Sequence, residues 1–339
     1  MSIREAIAAL VEERRDLSEE EAAAVMREIF SGDATPAQLG AYLIALRLKG
    51  ETVDEIAGMA RVMREHAVHV QVEGPLLDTC GTGGDAQGTF NVSTAAAFVA
   101  AGAGARIAKH GNRAMTSGCG SADVLEAVGA KIDLSPEQVA ECIRRTGFGF
   151  MFAQTFHPAM KHAAGPRREI GVRTVFNILG PLTNPAGAQH QLLGVAAPEI
   201  APKIAAALKR LGCRHALVVH GFDGTDELSI SGPTDVHEVR DGEIREHSVS
   251  PEDAGVPIAP AGAILGGTPE HNAGILVAVA QGEKGPLRDA VVLNAAAALV
   301  AADVAADVKE GAAMAEDAID SGAARRKLGD WVELTRSFR

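Results

Sequence analysis

Asp78-Thr79-Cys80-Gly81-Thr82-Gly83-Gly84-Asp85 is the stretch from which the rest of the chain can be read. Gly74-Pro75 and the apolar pair Leu76-Leu77 introduce it, so a strand is expected to run into a loop here. Three glycines in four residues let the backbone turn tightly and leave its N–H groups uncovered. Such a nest of amides binds anions, phosphate above all. The next segment, Asn91-Val92-Ser93-Thr94-Ala95-Ala96-Ala97, reads as a helix start, whose free N–H groups and dipole favour the same ligand. Two other phosphate motifs fail. Gly81, Gly83 and Ala86 fit a dinucleotide fingerprint, but no Asp or Glu occurs from Ala86 to Ala122 to take the ribose. No Gly-Lys-Ser/Thr follows at the spacing of a P-loop either.

Working outward, the first 70 residues read as helices only. Ile3, Ile7, Leu10 and Val11 share a helical face. Ser18 with Glu21 and Thr52 with Glu55 form capping boxes, the second helix reaching about His66. Thr35-Pro36 starts a helix that Gly50 stops. From Gly74 onward short apolar strands (Leu76-Leu77, Arg106-Ile107-Ala108, Phe148 to Phe152, Leu217-Val218-Val219) alternate with helices, the pattern of a mostly parallel sheet. Asp241-Gly242 between Val239 and Ile244 marks a hairpin and some antiparallel pairing. The Ala-rich last third is helical, including Leu287 to Val304. The fold class is therefore α/β.

The 339 residues are 47% hydrophobic with only 4% aromatics, and no apolar run reaches the roughly 18 residues of a membrane span. Met1-Ser2-Ile3-Arg4-Glu5 does not read as the start of a signal peptide. Cys80, Cys119, Cys142 and Cys213 make no C-x-x-C pair, so neither zinc nor a disulfide framework is indicated, and a cytoplasmic setting is expected. A net charge of −12 argues against nucleic acid as the partner. Acids are nonetheless scarce in two windows. Arg106, Lys109 and Arg113 lie in one; Arg144, Arg145, Lys161, Arg167, Arg168 and Arg173 lie in the other, with Glu169 alone among them. Local positive patches of this kind steer anionic small substrates.

Four further segments carry chemistry. Lys109-His110-Gly111-Asn112-Arg113 is expected just past a strand end, where α/β sheets place ligands. Thr116-Ser117-Gly118-Cys119-Gly120-Ser121 supplies hydroxyls, with Ser121 as N-cap of a helix over Ala122–Val128. Phe156-His157-Pro158-Ala159-Met160 leads to Arg167-Arg168. Asp226-Glu227 follows a strand, and adjacent carboxylates there suit Mg²⁺ when a substrate phosphate completes the coordination. An Asp-Glu pair in a loop is more often solvated surface; the co-occurrence of these signals at strand ends carries the weight.

Together with Gly120-Ser121-Ala122-Asp123-Val124-Leu125-Glu126 and Asn177-Ile178-Leu179-Gly180-Pro181-Leu182-Thr183-Asn184-Pro185, the glycine loop and Lys109–Arg113 resemble the signatures of the anthranilate phosphoribosyltransferase family, the tryptophan-pathway members of the nucleoside phosphorylase-like (class IV) phosphoribosyltransferases. The resemblance runs essentially end to end. It implies a helical, dimer-forming domain of residues 1–72 plus a returning segment near 160–185, and an α/β domain of residues 73–339, with a cleft and hinge between them. It implies transfer of phosphoribose from 5-phosphoribosyl-1-pyrophosphate (PRPP) to the amine of anthranilate, with Mg²⁺ as cofactor. Gly81, Gly84, Asp85, Thr89, Asn91, Ser93, Thr94, Lys109, Ser117 and Ser121 match positions that hold PRPP. Ser93, Asp226 and Glu227 match the Mg²⁺ positions, and Gly81, Asn112 and Arg167 those contacting anthranilate. Lys109 and His110 are the candidates for a catalytic role. Gln154, where the family usually has proline, and Thr225, where leucine is common, depart from the pattern without removing a ligand. A pyrimidine nucleoside phosphorylase would resemble Lys-x-Ser-Gly-Arg where this chain has Lys109–Arg113. A nucleic-acid-binding relative would not keep both the glycine loop and Asp226-Glu227.

Overall fold

A computed structural model describes residues 1–114 and 118–338. Helices α1 (Ile3–Val11), α2 (Glu19–Ser31), α3 (Pro36–Lys49) and α4 (Val53–Glu65) open the chain. Each begins with a reciprocal capping box: Ser2 with Glu5, Ser18 with Glu21, Thr35 with Gln38, Thr52 with Glu55. Two orphan N–H groups are thereby satisfied at every helix start, so these boundaries are written locally.

The remainder alternates strands and helices. In chain order they are β1 (Leu77–Gly81), α5 (Val92–Gly102), β2 (Ile107–Gly111), α6 (Ser121–Ala127), α7 (Pro136–Thr146), β3 (Phe148–Phe152), α8 (Ala153–Phe156), α9 (Lys161–Ile170) and α10 (Phe176–Leu179). Then come β4 (His190–Gly194), α11 (Ala201–Arg210), β5 (His215–Gly221), β6 (Thr234–Arg240), β7 (Glu243–Val249), α12 (Pro269–Ala280), α13 (Pro286–Ala301), α14 (Val308–Asp320) and α15 (Ala323–Ser337). The sheet order is β3-β2-β1-β4-β5-β6-β7; the first five are parallel and the last two antiparallel. The expected hairpin is present, Val239 pairing with Ile244 around Asp241 (φ 48°) and Gly242 (φ 79°).

Both faces of the sheet are covered. Leu192, Leu217 and Val219 face a core with Phe98 of α5, Leu293 of α13 and Trp331 of α15. Leu193 and Val218, one step along, face a second core with Ile204 of α11, Met59 of α4 and Phe176 and Leu182 of the segment that returns to the N-terminal helices. This is the period-2 alternation of a strand buried on both sides.

Three expectations need correction. Strand β4 was not among the expected strands. His190 and Gln191 break its apolar pattern, yet both are buried, His190 Nδ1 facing the Ala301 carbonyl at 2.7 Å and Gln191 Nε2 donating to the Pro181 carbonyl at 2.5 Å. Strands β1 and β2 run further than their apolar residues, so Lys109 and His110 lie within β2 and not past its end. Helix α6 is capped at Gly120, whose N–H donates to the Asp123 carboxylate (2.9 Å); Ser121 is the first helical residue, not the cap.

The chain leaves β1 toward β2 on one side, while β4 lies on the other. The carboxyl ends of β1 and β4 therefore bound a topological switch point, where α/β sheets open a crevice. At that point Gly81 and Gly194 are partners in register. A Cβ on Gly81 would overlap the Asp226 carboxylate, and one on Gly194 the Asp226 main-chain carbonyl. The loop after β5 can fold over both strand ends only because neither residue has a side chain. Gly194→Ala should therefore lower unfolding free energy by about 1–3 kcal/mol or more, since backbone cannot yield as a side chain would. Denaturant unfolding of the two proteins checks this; equal midpoints would show that the loop is not held there.

Candidate active site

Over the glycine floor lies a cavity of about 300 Å³. Gly81, Gly83, Gly84, Asn91, Ser93, Thr94, Lys109, His110, Asn112, Ser121, Arg173, Asp226 and Glu227 are among the residues that line it. Sequence elements far apart in the chain thus converge on one space. Gly84 (φ 75°) adopts the left-handed backbone that side chains resist, and a Cβ there would also strike Arg173 Nη1.

The elements expected to bind anions are met by acids of the protein itself. The Gly83 N–H donates to Asp226 Oδ2 (2.7 Å), and the Ser93 N–H, in the first turn of α5, donates to Glu227 Oε1 (3.0 Å). The Asn91 side chain does not cap α5. Its Nδ2 donates to the Cys119 carbonyl (3.1 Å) and its Oδ1 accepts from Asn272 (3.0 Å), while the first-turn N–H groups of Val92 and Thr94 go to the Phe90 and Asn91 carbonyls. Burial pushes the Asp226 and Glu227 pKa values up, and neighbouring carboxylates, Asp85 beside Asp226 and Asp226 beside Glu227, push them further. Asp85 accepts from Thr225 Oγ1 (3.3 Å), a bond that the departure from leucine supplies. Asp226 and Glu227, which line the cavity with Asp85 behind them, offer oxygen donors with excess negative charge, which suits a hard divalent cation such as Mg²⁺.

Lys109 is 2% exposed. Its ammonium donates to the Thr79 carbonyl, to Thr79 Oγ1 (3.3 Å) and to Ser93 Oγ (3.3 Å), tying β2 to β1 and α5. Burial draws its pKa down, and Asp78 opposes this. Asp78 is itself fully buried in β1. It accepts from the His110 N–H (3.1 Å) and from Asn184 Nδ2 (2.8 Å), and burial, offset by Lys109, pushes its pKa up to about 6. This internal network is what permits charged residues inside two central strands.

A second cavity, of about 620 Å³, shares Cys80, Gly81, His110, Gly111 and Asn112 with the first. Met63 of α4, Gln154, His157, Arg167 of α9 and Phe176 complete much of its wall. The Arg167 guanidinium lies 5.0 Å from the centre of the Phe176 ring. Burial lowers its pKa, and it meets no carboxylate among the described residues. The His110 and His157 rings are 4.9 Å apart, both buried, with neither Nε2 bonded to protein. Burial, then His157, pushes His110 down to about 3; burial likewise takes His157 to about 4. Both imidazoles are neutral at pH 7.

Two of the expected ligand residues stand back from the cavity. Asp85 lies behind Asp226, and Thr89 forms an isolated bridge with Leu265. Ser117 lies outside the described residues. The expected positive patches are partly neutralised: Arg113 pairs with Asp123 and Glu126, and Arg145 with Glu141. Arg173 and Asn177 were not among the expected site residues yet line the smaller cavity. For Arg173 the signal was present, since it sits in the acid-poor window beside Arg167.

Comparison with known proteins agrees with this architecture. The family described as "Glycosyl transferase family, a/b domain" matches residues 73–325, and its helical bundle domain matches residues 4–67. Anthranilate phosphoribosyltransferase of Chloroflexus aurantiacus is 60% identical over 338 residues, 99% of each chain. The crystal structure of anthranilate phosphoribosyltransferase from Thermus thermophilus superposes with a TM-score of 0.93 at 48% identity, covering 99% of both chains. That from Saccharomyces cerevisiae, in complex with PRPP and Mg, gives 0.91 at 30% identity, covering 99% of this chain and 98% of the other.

A pH dependence follows from His157. The unfolded chain takes a proton near the ordinary value of 6.5, whereas the native state resists until about 4. The stability from keeping this ring neutral is complete above pH 6.5 and is lost as pH falls toward 4. Between pH 6.5 and 5 wild type should lose about 1.4 kcal/mol per unit more than His157→Gln does. Denaturant titrations at three pH values check it; parallel losses in both proteins would contradict it.

Proposed function

The chain belongs to the anthranilate phosphoribosyltransferase family, and on that premise we propose how its two cavities move the 5-phosphoribosyl group of PRPP onto the amine of anthranilate, releasing pyrophosphate. The observation that carries the reading is their junction. A space rich in N–H groups and carboxylates opens at Gly81, His110 and Asn112 onto a larger one whose wall holds a half-buried arginine, with no carboxylate partner among the described residues.

In this reading PRPP lies between the glycine loop and the start of α5, held through Gly81, Gly84, Asn91, Ser93, Thr94, Lys109, Ser117 and Ser121, with Asp85 and Thr89 supporting from behind. Asp226, Glu227 and Ser93 hold Mg²⁺, which neutralises charge on the leaving pyrophosphate when bound. The larger cavity takes anthranilate, Arg167 pairing with its carboxylate and Asn112 lining the approach to the sugar. The ribose passes through a cationic, oxocarbenium-like state, so the protein's task is to stabilise the departing charge and align the amine. Lys109 serves the first need by fixing Ser93 and β1. An aromatic amine is unprotonated at neutral pH, so no strong base is required. His110, neutral and with a free Nε2, is suited to accept a hydrogen bond and not to act as an acid.

The helical domain, residues 1–72 with the segment near 160–185, moves against the α/β domain about a hinge. It pairs with a second copy through α1 and α3, where Val11 (58% exposed) and Leu48 (83%) flank a shallow cavity. Four unpaired thiols, and no described helix long and apolar enough to cross a membrane, support a cytoplasmic setting.

Anthranilate fluorescence tests the reaction. Signal should fall only with PRPP and Mg²⁺ together, and chelation of the metal should stop it. No loss with folded protein would refute the reading. Arg167→Ala should raise the anthranilate KM by about 10-fold or more, the scale of a charge-assisted bond, and leave the PRPP KM nearly unchanged. Equal rises in both would remove Arg167 from the carboxylate.

A further inference from the structure

Arg173 has no part in the reading above, yet it grips the phosphate loop. It follows Gly171 (φ 66°), the residue that ends α9, so the segment that places Arg167 in the larger cavity also carries it. Its guanidinium reaches back ninety residues, Nη1 donating to the Gly83 carbonyl (2.5 Å) and Nη2 to the Thr82 carbonyl (3.4 Å). Among the described residues it forms no ion pair, unlike Arg113 and Arg145. A planar fork with donors on both Nη atoms suits two successive carbonyls.

The consequence follows from peptide geometry. In a trans peptide the C=O and the next N–H point in opposite directions. Clamping the Thr82 and Gly83 carbonyls therefore fixes the N–H groups of Gly83 and Gly84 on the far side from Arg173. The Gly83 N–H does point away, to Asp226 Oδ2 at 2.7 Å. The Gly84 N–H has no protein partner among the described residues. Gly84 is needed twice over, for its φ of 75° and because a Cβ would take the place of Arg173 Nη1.

We propose that Arg173 is a positioning residue for the diphosphate end of PRPP: it sets the glycine-loop N–H groups and links that loop to the segment bearing Arg167. This rests on the phosphoribosyl-transfer reading. The full-length wild type, Arg173→Gln and Arg173→Lys are compared by steady-state kinetics in both substrates, by calorimetric titration with inorganic pyrophosphate and Mg²⁺, and by thermal unfolding. Arg173→Gln should raise the PRPP KM and weaken pyrophosphate binding by about 10-fold or more. The anthranilate KM and the melting temperature should stay close to wild type. Arg173→Lys, which keeps the charge but loses the fork, should recover only part of the loss. If wild type is active and Arg173→Gln matches it in PRPP KM and pyrophosphate affinity, this inference fails alone. Equal rises in both KM values with a lower melting temperature would also overturn it, marking a merely structural residue. A wild type without anthranilate turnover would instead bring down the transfer reading.

Discussion

The contact on which the site depends is Asp226 laid over a pair of opposed glycines. Gly81 ends β1 and Gly194 ends β4, and the Asp226 main chain and carboxylate fill the space that two Cβ atoms would take. This brings the loop after β5 against the loop after β1 at the switch point of the sheet. From that position Asp226 reaches the Gly83 N–H and Glu227 the Ser93 N–H. The two elements best suited to bind phosphate and the two acids best suited to bind a cation therefore share one cavity.

Behind this surface is a charged interior. Asp78 and Lys109 sit in adjacent central strands, neither paired directly with the other in the hydrogen-bond network, each satisfied by backbone and side-chain partners. Burying charge is costly unless every polar atom is met. Here Asn184, from the segment between α10 and β4, meets both the Asp78 carboxylate and the Ala108 carbonyl. The network fixes the registers of β1 and β2 and thus the height at which His110 and Asn112 enter the junction of the cavities.

Much of this was legible in the residues. Capping boxes gave helix starts because side chain and backbone meet within one turn, and Asp241-Gly242 gave its hairpin for the same local reason. Asp226-Glu227 and Lys109 were legible as charged groups, though the burial of Lys109 and the half-burial of the two acids were not. What was hidden depended on distant partners. β4 conceals itself because His190 and Gln191 are satisfied by residues 111 and 10 positions away. The cap of α6 went to Gly120 because Asp123 reaches back to it and to Ala114, leaving the Ser121 hydroxyl directed to the Asn112 carbonyl. Arg173 could be read as a cation but not as a clamp, since its carbonyl partners lie ninety residues earlier.

The most direct measurement locates the metal. Crystals grown with PRPP and Mn²⁺ in place of Mg²⁺ allow the ion to be placed by anomalous scattering. The account predicts a peak coordinated by Asp226 and Glu227 beside Ser93, with pyrophosphate oxygens between it and the glycine loop. A peak elsewhere, for instance at the remote His190, His215 and Asp303 group, or PRPP bound away from α5 with no ion at Asp226-Glu227, would contradict it.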